Sequence, residues 1–430
     1  MGTLTGDNRT FLFLQGPHGP FFARLGRMLE RAGASVWRVG FNAGDRAFWR
    51  NRSNFLPYLG TQDEWPETFK TLIAEKGVTD VVLYGDTRPI HAQAVEEAKA
   101  QGLRVHVFEE GYMRPYWVTY ERGGTNGNSR LMEMTVPQMR EALENSDMDA
   151  PLPPASWGDM RQHIFYGAVY HGCVMLLNRR YRNFLPHRAL GVTQEFKLYL
   201  QRLLLMPAQA IDRRIATWRI RHGGFPYHLA LLQLEHDSSF QTHSPFSTMT
   251  EFLETVIDGF AKGAPPHHHL VIKAHPLEDG RAPIRRELKR LARAAGIADR
   301  VHYVRGGKLA QLLDEARSAV TVNSTAAQQV LWRGIPLRTF GAAVFAKPEF
   351  VSTKPLPDFF AGAERPDRRA YTDYRRYLLE TSQVAGGFYS SSGRRQLLRQ
   401  AVDMMLAPED PYDALKSGTA APRQQLRVVT

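Results

Sequence analysis

Short apolar runs alternate with amphipathic stretches over the first third of the chain. The runs are TFLFLQ (10–15), SVWRVGF (35–41), DVVLYG (80–85) and RVHVF (104–108). Residues with helical spacing lie between them, at 21–33 and at about 90–101. Because apolar runs of this length bounded by glycine and proline are typical of buried strands, the pattern predicts strand–helix–strand units. Such units build a parallel sheet that helices cover on both faces.

The same alternation returns in the second half of the chain. Apolar runs predict strands at 227–235, 269–276, 300–304, 318–322 and 336–341, and helices over about 248–262, 283–295, 308–316 and 324–333. Further helices are predicted over 367–382 and 392–406, and the tail after Pro408 is expected to be loose. The predicted fold class is therefore α/β, with two Rossmann-like domains that face a cleft.

A region of different character separates the two alternating regions. The proline-rich stretch DMDAPLPPASW (147–157) predicts a linker, and residues 157–221 have a helical, aromatic pattern. This helical insertion contains eleven Arg and Lys against three Asp and Glu. Such a segment either bridges two domains or contacts an anionic bilayer, and the sequence favours neither.

The predicted domain organisation follows from these boundaries. In chain order, the N-terminal Rossmann-like domain covers 8–150, the helical insertion 151–222, the C-terminal Rossmann-like domain 223–365, the C-terminal helices 366–410 and the tail 411–430.

Composition narrows the partners and the compartment. The 430 residues carry a net charge of +12, which favours an anionic partner such as nucleic acid, an acidic membrane or a phosphorylated or carboxylated substrate. A single cysteine, Cys173, excludes an internal disulfide and fits a reducing compartment. The stretch MGTLTGDNRT lacks the pattern of a signal peptide, and no apolar run is long enough for a transmembrane helix. A cytosolic or peripheral membrane location is therefore expected.

Polar clusters follow nearly every predicted strand. They are QGPHGP, GDTRP and EEGYMRP in the first half, and LEHDSS, KAHP, RGGK and NSTAA in the second. Ligands of open parallel sheets bind beyond the carboxyl ends of the strands, so these clusters predict the binding residues.

Cations and a helix start in the second half suit an anionic ligand. Lys273 and His275 lie two residues apart at a strand end, so one face would present a cation and an imidazole to a phosphate. Asn323 or Ser324 is predicted to cap the helix after its strand and leave backbone N–H groups for an anion. A solvated strand end and a plain helix cap are the alternatives. The triplet His267–His269 alternates between strand faces, so no metal site is expected there.

Three carboxylates have the chemistry for sugar transfer. Asp237 follows an apolar strand, and Glu109 and Glu110 end another, so acid–base and nucleophilic groups are both present. Asp237 has the alternative of a turn residue. Adjacent strand residues point to opposite faces, which predicts one glutamate as a base and the other as a structural acid paired with Arg114. The sequence does not decide which glutamate has which role.

The GPHGP cluster is a weaker signal. It matches neither common phosphate-loop pattern. Gly16, His18 and Gly19 instead suggest a loop that lets the backbone approach a ligand closely, here assigned to the acceptor. The alternative is a tight turn before a helix that begins at Pro20.

The stretches FLFLQGPHGPFFARLGRMLERAGASVWRVGFNAGDRAFW, FEEGYMRPYWVTYERGGTNGNS, LLQLEHDSS, KAHP and NSTAAQQVLWRGIPLRTFG occur in the order expected of one family. Over about residues 10–350 the chain resembles the bacterial capsular polysaccharide biosynthesis proteins of the KpsS/LipB type. The resemblance implies a GT-B-like fold and a retaining transferase that moves 3-deoxy-manno-octulosonate (Kdo) from CMP-Kdo. The acceptor it implies is a phosphatidylglycerol-type lipid at the inner face of the inner membrane, where oligo-Kdo linkers of capsules begin. It also implies as partners a KpsC-type Kdo transferase, which extends the linker, and the capsule ABC exporter.

The resemblance also assigns site residues. Glu109-Glu110-Gly111 matches an acidic-acidic-glycine motif, which is EDG in related Kdo transferases, and His275-Pro276 and Ser324-Thr325 match two further motifs. Gln233 and Asp237 match a Gln-then-Asp segment, although Leu232 stands where those relatives have another Asp.

Roles for these residues follow from the implied reaction. Retention requires two inversions and hence a nucleophile, which is assigned to Asp237. Glu109 or Glu110 would deprotonate the acceptor. The cations and polar residues of the second half would bind the donor: Gln233, Lys273, His275, Pro276, Arg305, Lys308, Asn323, Ser324 and Thr325. No cofactor or metal is expected.

Three other functions stay open. One is transfer from a different CMP-sugar, as in sialyltransferases. Another is a non-catalytic scaffold for capsule export or nucleic acid, and a third is a lipid-surface adaptor. Nucleic acid is not expected as a partner, because the basic excess is concentrated in one helical segment and the strand-end clusters mix acids with bases.

Overall fold

The computed structural model describes residues 5–114, 116–146, 160–184, 192–278, 280 and 282–420. The chain divides into two compact units. The first unit contains Met1–Arg130, Pro137–His187 and Arg375–Thr430, and the second contains Leu131–Val136 and Arg188–Tyr374. The predicted linker at 147–157 lies outside the described residues.

The strands confirm the predicted alternation. In chain order they are β1 (Thr10–Phe13), β2 (Ser35–Gly40), β3 (Phe55–Pro57), β4 (Asp80–Tyr84), β5 (Arg104–Glu110), β6 (Trp117–Arg122), β7 (Tyr227–Leu231), β8 (His269–Lys273), β9 (Val301–Val304), β10 (Ala316–Thr321), β11 (Leu337–Thr339) and β12 (Gln383–Ala385).

The helices agree with the predicted ones to within a few residues where a prediction was made. In chain order they are α1 (Phe21–Arg31), α2 (Ala43–Ala47), α3 (Trp65–Lys76), α4 (Pro89–Ala100), α5 (Val136–Leu143), α6 (Met160–Leu177), α7 (Val192–His222), α8 (Ser238–His243), α9 (Met249–Gly263), α10 (Ile284–Ala294), α11 (Ala310–Leu313), α12 (Ala327–Trp332), α13 (Leu356–Ala361), α14 (Arg368–Glu380), α15 (Ser391–Leu406) and α16 (Pro411–Ser417). None of the helices in the described ranges is long and apolar enough to cross a membrane.

Both sheets have the strand order of a Rossmann-like fold. The first runs β12-β6-β5-β4-β1-β2-β3 and the second runs β11-β10-β7-β8-β9. In each sheet the chain adds strands to one side and then reverses to the other, between β1 and β4 and between β7 and β10. The predicted class, α/β with two Rossmann-like domains, is confirmed.

The first sheet departs from the prediction at one edge. The strand β6 runs antiparallel to β5, and β12 runs antiparallel to β6. Glu110 is therefore followed by a hairpin and not by a helix. The sequence gives little sign of this edge, because β12 comes from more than 260 residues further along the chain.

Alternate residues of β1 build the two layers of the first unit. Phe11 and Phe13 face a core with α1 and α15, whereas Leu12 and Leu14 face a core with α3 and α4. In the second unit, β7, β8 and β10 pack against α9, α10 and α13 through one apolar core. Both sheets are thus covered by helices, as parallel sheets require.

The predicted loose tail after Pro408 is wrong for residues 411–417. Helix α16 forms there, and the Asp410 side chain caps it by accepting from the Tyr412 N–H. Tyr412 is buried and its hydroxyl donates to Glu121 at 2.9 Å. Asp413 pairs with Arg130 at 2.8 Å. An aromatic anchor and an ion pair therefore hold this segment on the first unit.

A buried ionic cluster lies at the amino ends of the first sheet's strands. Asp80 accepts hydrogen bonds from Arg9, from Thr79 at 2.6 Å and from His106 at 2.8 Å. Burial alone would raise the Asp80 pKa, but these hydrogen bonds hold that pKa well below its usual range. Burial lowers the pKa of His106 to about 4, so His106 is neutral at pH 7 and Arg9 carries the balancing charge. The cluster joins the segment before β1 to β4 and β5.

We predict that Asp80→Ala lowers the free energy of unfolding by about 3–5 kcal/mol, because it leaves Arg9 without its buried counter-ion. Urea unfolding followed by circular dichroism measures this loss. The matched control is Glu67→Gln, which removes an exposed ion pair with Lys70 in the same unit and should cost less than about 1 kcal/mol. Equal effects of the two variants would contradict a structural role for the cluster.

Candidate active site

Two amide side chains bridge the point where the second sheet reverses. The Gln233 Nε2 donates to Asn323 Oδ1 at 2.7 Å, and the Asn323 backbone N–H donates to Gln233 Oε1 at 3.0 Å. Gln233 follows β7 and Asn323 follows β10, and both side chains are buried. Both residues belong to the predicted donor site. Their hydrogen bonds to each other fix both side chains in place.

The same asparagine holds the helix that carries Asp237. The Asn323 Nδ2 donates to the carbonyl oxygens of Ser239 at 3.1 Å and His243 at 3.4 Å. Asp237 occupies the N-cap position of α8, but its side chain makes no capping hydrogen bond and is exposed. A carboxylate that caps nothing and stands on an anchored helix is available to react.

The predicted cap of the helix after β10 is wrong. Helix α12 begins at Ala327, and its N-cap is Ala326. Asn323 does not cap because its side chain is used by Gln233 and α8. Ser324 and Thr325 lie in the turn before the helix, where Ser324 Oγ accepts from the Ala326 N–H at 3.3 Å. This loop, and not the first turn of a long helix, follows β10.

Lys273 is a buried cation at the end of β8, next to β7 in the sheet. Burial, and after it the positive charge of Arg213, lowers the pKa of its ammonium to about 8. Lys273 and Arg213 thus bring two positive charges near each other at the end of β8. Sequence reasoning missed Arg213, because it comes from α7 and no motif surrounds it.

The loops after β8 and β9 pack against each other. Gly306 and Gly307 both have left-handed backbones, with φ of 64° and 84°. A side chain on Gly306 would approach Pro276 Cα to 3.2 Å, and one on Gly307 would approach Arg213 Cδ to 2.7 Å. These two glycines therefore let the loop of residues 305–308 lie close to His275-Pro276 and to α7. Arg305 and Lys308 flank this turn, partly buried and exposed respectively.

The ring of His275 has a defined tautomer. Its Nδ1 accepts a hydrogen bond from the Leu277 backbone N–H at 3.1 Å. An accepting Nδ1 places the ring proton on Nε2, which is the form that donates to a phosphate oxygen. Because β8 ends at Lys273, His275 lies in the following turn and not on the strand.

In the first unit, β5 extends through both glutamates, so Glu109 and Glu110 point to opposite faces of the sheet edge. Burial raises the pKa of Glu109 to about 7, although the hydrogen bond from the Glu110 backbone N–H and the charge of Arg114 lower it. The negative charge of Glu110 makes a smaller contribution that raises this pKa. A side chain on Gly85 would lie 2.9 Å from Glu109 Oε2, so glycine at this left-handed position leaves room for the carboxylate.

Glu110 has a different environment. Its Oε1 accepts from the Tyr84 hydroxyl at 3.4 Å, and burial raises the pKa of that tyrosine far above its usual range. Tyr389 has its pKa raised in the same way, first by burial and then by the charge of Glu110. Tyrosines that stay protonated and adjoin Glu110 favour a structural role for it, whereas the raised pKa of Glu109 suits a base. The two tyrosines were not foreseen.

Arg88 and Gln15 join two strands at the point where the first sheet reverses. Arg88, after β4, donates to Gln15 Oε1 after β1 at 3.5 Å. Arg114 is exposed, and its positive charge lowers the pKa of Glu109. The pairing of Arg114 with the structural acid stays a prediction.

The GPHGP loop packs against α6. The His18 ring stacks on Tyr170 with centroids 4.4 Å apart, and a side chain on Gly19 would come within 3.1 Å of the Tyr166 ring. Gly16 lies against the ring of Phe22, where a side chain would come within 2.5 Å. Gly19 therefore permits a close approach to α6, a helix of the insertion, whereas Gly16 permits one to α1.

Histidines at the amino end of the second sheet form pairs. His228 lies 2.9 Å from His268, and His269 lies 2.8 Å from His302, nitrogen to nitrogen. Burial lowers the pKa of His228 to about 3 and that of His302 to about 4. In the described part of the chain, no three His, Cys, Asp or Glu side chains are grouped so that they could hold a metal ion.

Comparison with known proteins gives consistent relatives. The family model described as "Capsule polysaccharide biosynthesis protein" matches residues 79–389. The chain is 31% identical to the capsule polysaccharide export protein KpsS of Escherichia coli over 90% of this chain and 98% of that protein. It is 29% identical to the capsule polysaccharide modification protein LipB of Neisseria meningitidis serogroup B, over 88% of this chain and 91% of that protein. A solved structure of KpsC from Thermosulfurimonas dismutans, titled a beta Kdo 2,7 transferase, aligns with a TM-score of 0.43 at 14% identity, covering 92% of this chain and 99% of that one.

We predict that the amide bridge at the β7–β10 reversal is coupled in energy. Gln233→Ala and Asn323→Ala should each lower the free energy of unfolding by about 1–3 kcal/mol, because each leaves buried polar groups without a partner. A double-mutant cycle by urea unfolding should give a coupling energy above about 0.5 kcal/mol. Strict additivity would show that the two amides do not support each other.

Proposed function

The chain belongs to the family of capsule polysaccharide biosynthesis proteins, and from this premise we propose that it is a glycosyltransferase. The proposed reaction moves Kdo from CMP-Kdo, with retention, onto a phosphatidylglycerol-type lipid and begins the linker of a capsular polysaccharide. The observation that carries the proposal is the arrangement Gln233–Asn323–α8, which holds the exposed carboxylate of Asp237 at the carboxyl edge of the second sheet. The buried Lys273 and the nearby Arg213 would bind the phosphate of a CMP-sugar.

In the first step, the Asp237 carboxylate attacks the anomeric carbon of Kdo. The bond from that carbon to the phosphate oxygen breaks, and CMP leaves with the electron pair. Lys273 and Arg213 stabilise the charge that grows on the phosphate, and the Nε2–H of His275 donates to a phosphate oxygen. Arg305, Lys308, Ser324 and Thr325 hold the phosphate or the sugar carboxylate. Protein cations perform the neutralisation in this proposal, and no cofactor is used.

In the second step, the lipid hydroxyl attacks the same carbon and displaces Asp237. Glu109 accepts the hydroxyl proton, so the sugar is transferred and the nucleophile regenerated as a carboxylate. Two inversions give net retention and a β-linkage. Glu110, held by Tyr84, keeps the negative charge beside Glu109 that helps raise its pKa.

The proposed place of this reaction is the inner face of the inner membrane. A lipid acceptor requires the protein to work at a bilayer surface, and the insertion supplies the basic and aromatic residues for it. A KpsC-type transferase that extends the linker, and the capsule exporter, are the proposed partners of the product.

We predict that incubation with CMP-Kdo and a fluorescent phosphatidylglycerol analogue adds one Kdo unit or more to the lipid, measured by mass spectrometry. Asp237→Asn should lower the rate by at least about 10³-fold, because it removes the nucleophile. Asp258→Asn is the matched control, an exposed aspartate of the same unit that should leave the rate unchanged. If the lipid gains no mass while the donor stays intact, the proposal is contradicted. Faster transfer from CMP-sialic acid than from CMP-Kdo would show that the protein uses a different CMP-sugar as its donor.

We predict that kcat/KM for the acceptor depends on the ionisation of Glu109 and that kcat/KM for the donor depends on the ionisation of Lys273. Because Glu109 must be ionised to accept a proton, kcat/KM for the acceptor should rise with pH up to about 7 and then level. Because Lys273 must be charged to hold the phosphate, kcat/KM for the donor should fall above about 8.

Two variants test these assignments. Glu109→Gln should lose about 10²–10⁴-fold in kcat/KM for the acceptor together with the limb near pH 7. Glu110→Gln should keep the limb but move it to lower pH, because it removes a negative neighbour of Glu109. The opposite pattern in the two variants would make Glu110 the base.

A further inference from the structure

Helix α6 has apolar residues on both of its faces, and among the residues that the structure describes one face is packed against protein and the other is exposed. On the inner face, Tyr170 accepts a hydrogen bond from Asn42 Nδ2 at 2.8 Å and donates to Asp45 Oδ1 at 3.4 Å. Its ring lies so close to Gly44 that a side chain there would approach to 2.6 Å. Tyr166 accepts from Arg394 at 3.3 Å. Helix α6 is therefore a fixed part of the first unit.

The outer face of α6 is apolar and open to solvent. Its large side chains are exposed by 53% at Ile164, 61% at Phe165, 47% at Met175, 76% at Leu176 and 66% at Leu177. Phe165 and Leu176 are eleven residues apart, which is three helical turns, so they share one face. Single exposed apolar residues are ordinary, but Ile164, Phe165, Met175 and Leu176 fall within roughly 120° of one another around the helix, whereas Leu177 lies at its end on the side of the tyrosines. Four large apolar side chains on one side of a helix mark a surface that meets a non-aqueous partner.

Positive charge brackets this apolar face. Arg161 lies in the first turn, and the exposed Arg179 and Arg180 follow the last turn. Residues 160–184 contain no Asp or Glu. A protein groove would provide matching acidic side chains at one place, whereas arginines at both ends of an apolar row suit a surface with negative charge throughout and an apolar interior.

We propose that the outer face of α6, from Arg161 to Arg180, is the surface on which the first unit docks to an anionic lipid bilayer. Because the other face is packed on the unit, α6 meets the bilayer along its length, with Phe165 and Leu176 among the acyl chains and the arginines at the headgroups. The inference deepens the proposed function, on which it rests for the lipid acceptor. It also links that surface to the acceptor loop, since His18 stacks on Tyr170 of the same helix.

The test is sedimentation of the full-length protein with vesicles of phosphatidylglycerol and phosphatidylcholine, without any sugar donor. Wild type should bind these vesicles and leave pure phosphatidylcholine vesicles in the supernatant. Phe165→Ser/Leu176→Ser should weaken binding at least about tenfold, because two apolar side chains no longer enter the bilayer. Arg179→Gln/Arg180→Gln should weaken it about fivefold for each charge removed, and added salt should reduce this difference.

Matched controls separate this surface from general stickiness and from misfolding. Trp332→Ser removes an equally exposed apolar side chain from the second unit, and Lys289→Gln/Arg293→Gln removes two exposed charges from α10. Both controls should bind as wild type does. Thermal unfolding of every variant within a few degrees of wild type shows that the fold is kept.

Several outcomes would overturn the inference. Undiminished vesicle binding by both α6 variants would do so, as would equal losses in the controls. A concentration-dependent dimer that Phe165→Ser/Leu176→Ser abolishes would show that a second copy covers this face. Because no donor is present, these results are independent of Kdo transfer. Vesicle binding that depends on α6, together with no transfer by wild type to any lipid, would retain the surface and reject the proposed function.

Discussion

The reversal of strand order in each parallel sheet is the constraint on which the proposed site depends. At the reversal the loops after two neighbouring strands diverge, so backbone and side-chain polar groups at that edge lose the partners that a continuous sheet provides. The chain fills this gap with amides and cations: Gln233 bonds Asn323 in the second unit, and Arg88 bonds Gln15 in the first. Each unit thus presents a polar edge whose geometry is fixed by buried hydrogen bonds.

The reactive groups are positioned through those bonds. Asn323 holds α8 by its carbonyls, and α8 carries Asp237 at its start, so the proposed nucleophile depends on an amide that need not touch the sugar. In the first unit, the Tyr84 hydroxyl donates to Glu110, while burial raises the pKa of Glu109 to about 7. The same unit anchors α6 through Tyr170, which connects the loop after β1 with the helix that we assign to the bilayer. The hydrogen bonds that hold the proposed donor residues and those that hold α6 therefore form two separate networks.

Hydrophobic periodicity predicted most strands and helices, because both sheets are buried on both faces and their strands are continuous apolar runs. It did not predict the edge formed by β6 and β12, where pairing depends on residues far apart in the chain. The strand-end rule selected Lys273 and Glu109, because position at the end of a strand is visible in sequence, and the family resemblance selected Gln233; their roles stay predictions. The rule could not find Arg213, which comes from α7, or Tyr389, which comes from the loop between β12 and α15. Asn323 was predicted as a possible helix cap because its partner Gln233 is ninety residues away in the chain.

The central claim is that Asp237 holds the sugar between two inversions. Intact-protein mass spectrometry of the Glu109→Gln variant with CMP-Kdo tests it most directly, because slow transfer to the acceptor lets a covalent intermediate accumulate. The account predicts a mass gain of one Kdo unit that peptide mapping places on Asp237, and its loss in Glu109→Gln/Asp237→Ala. An adduct on another residue, or CMP release with no adduct and an inverted linkage in the product, would contradict it.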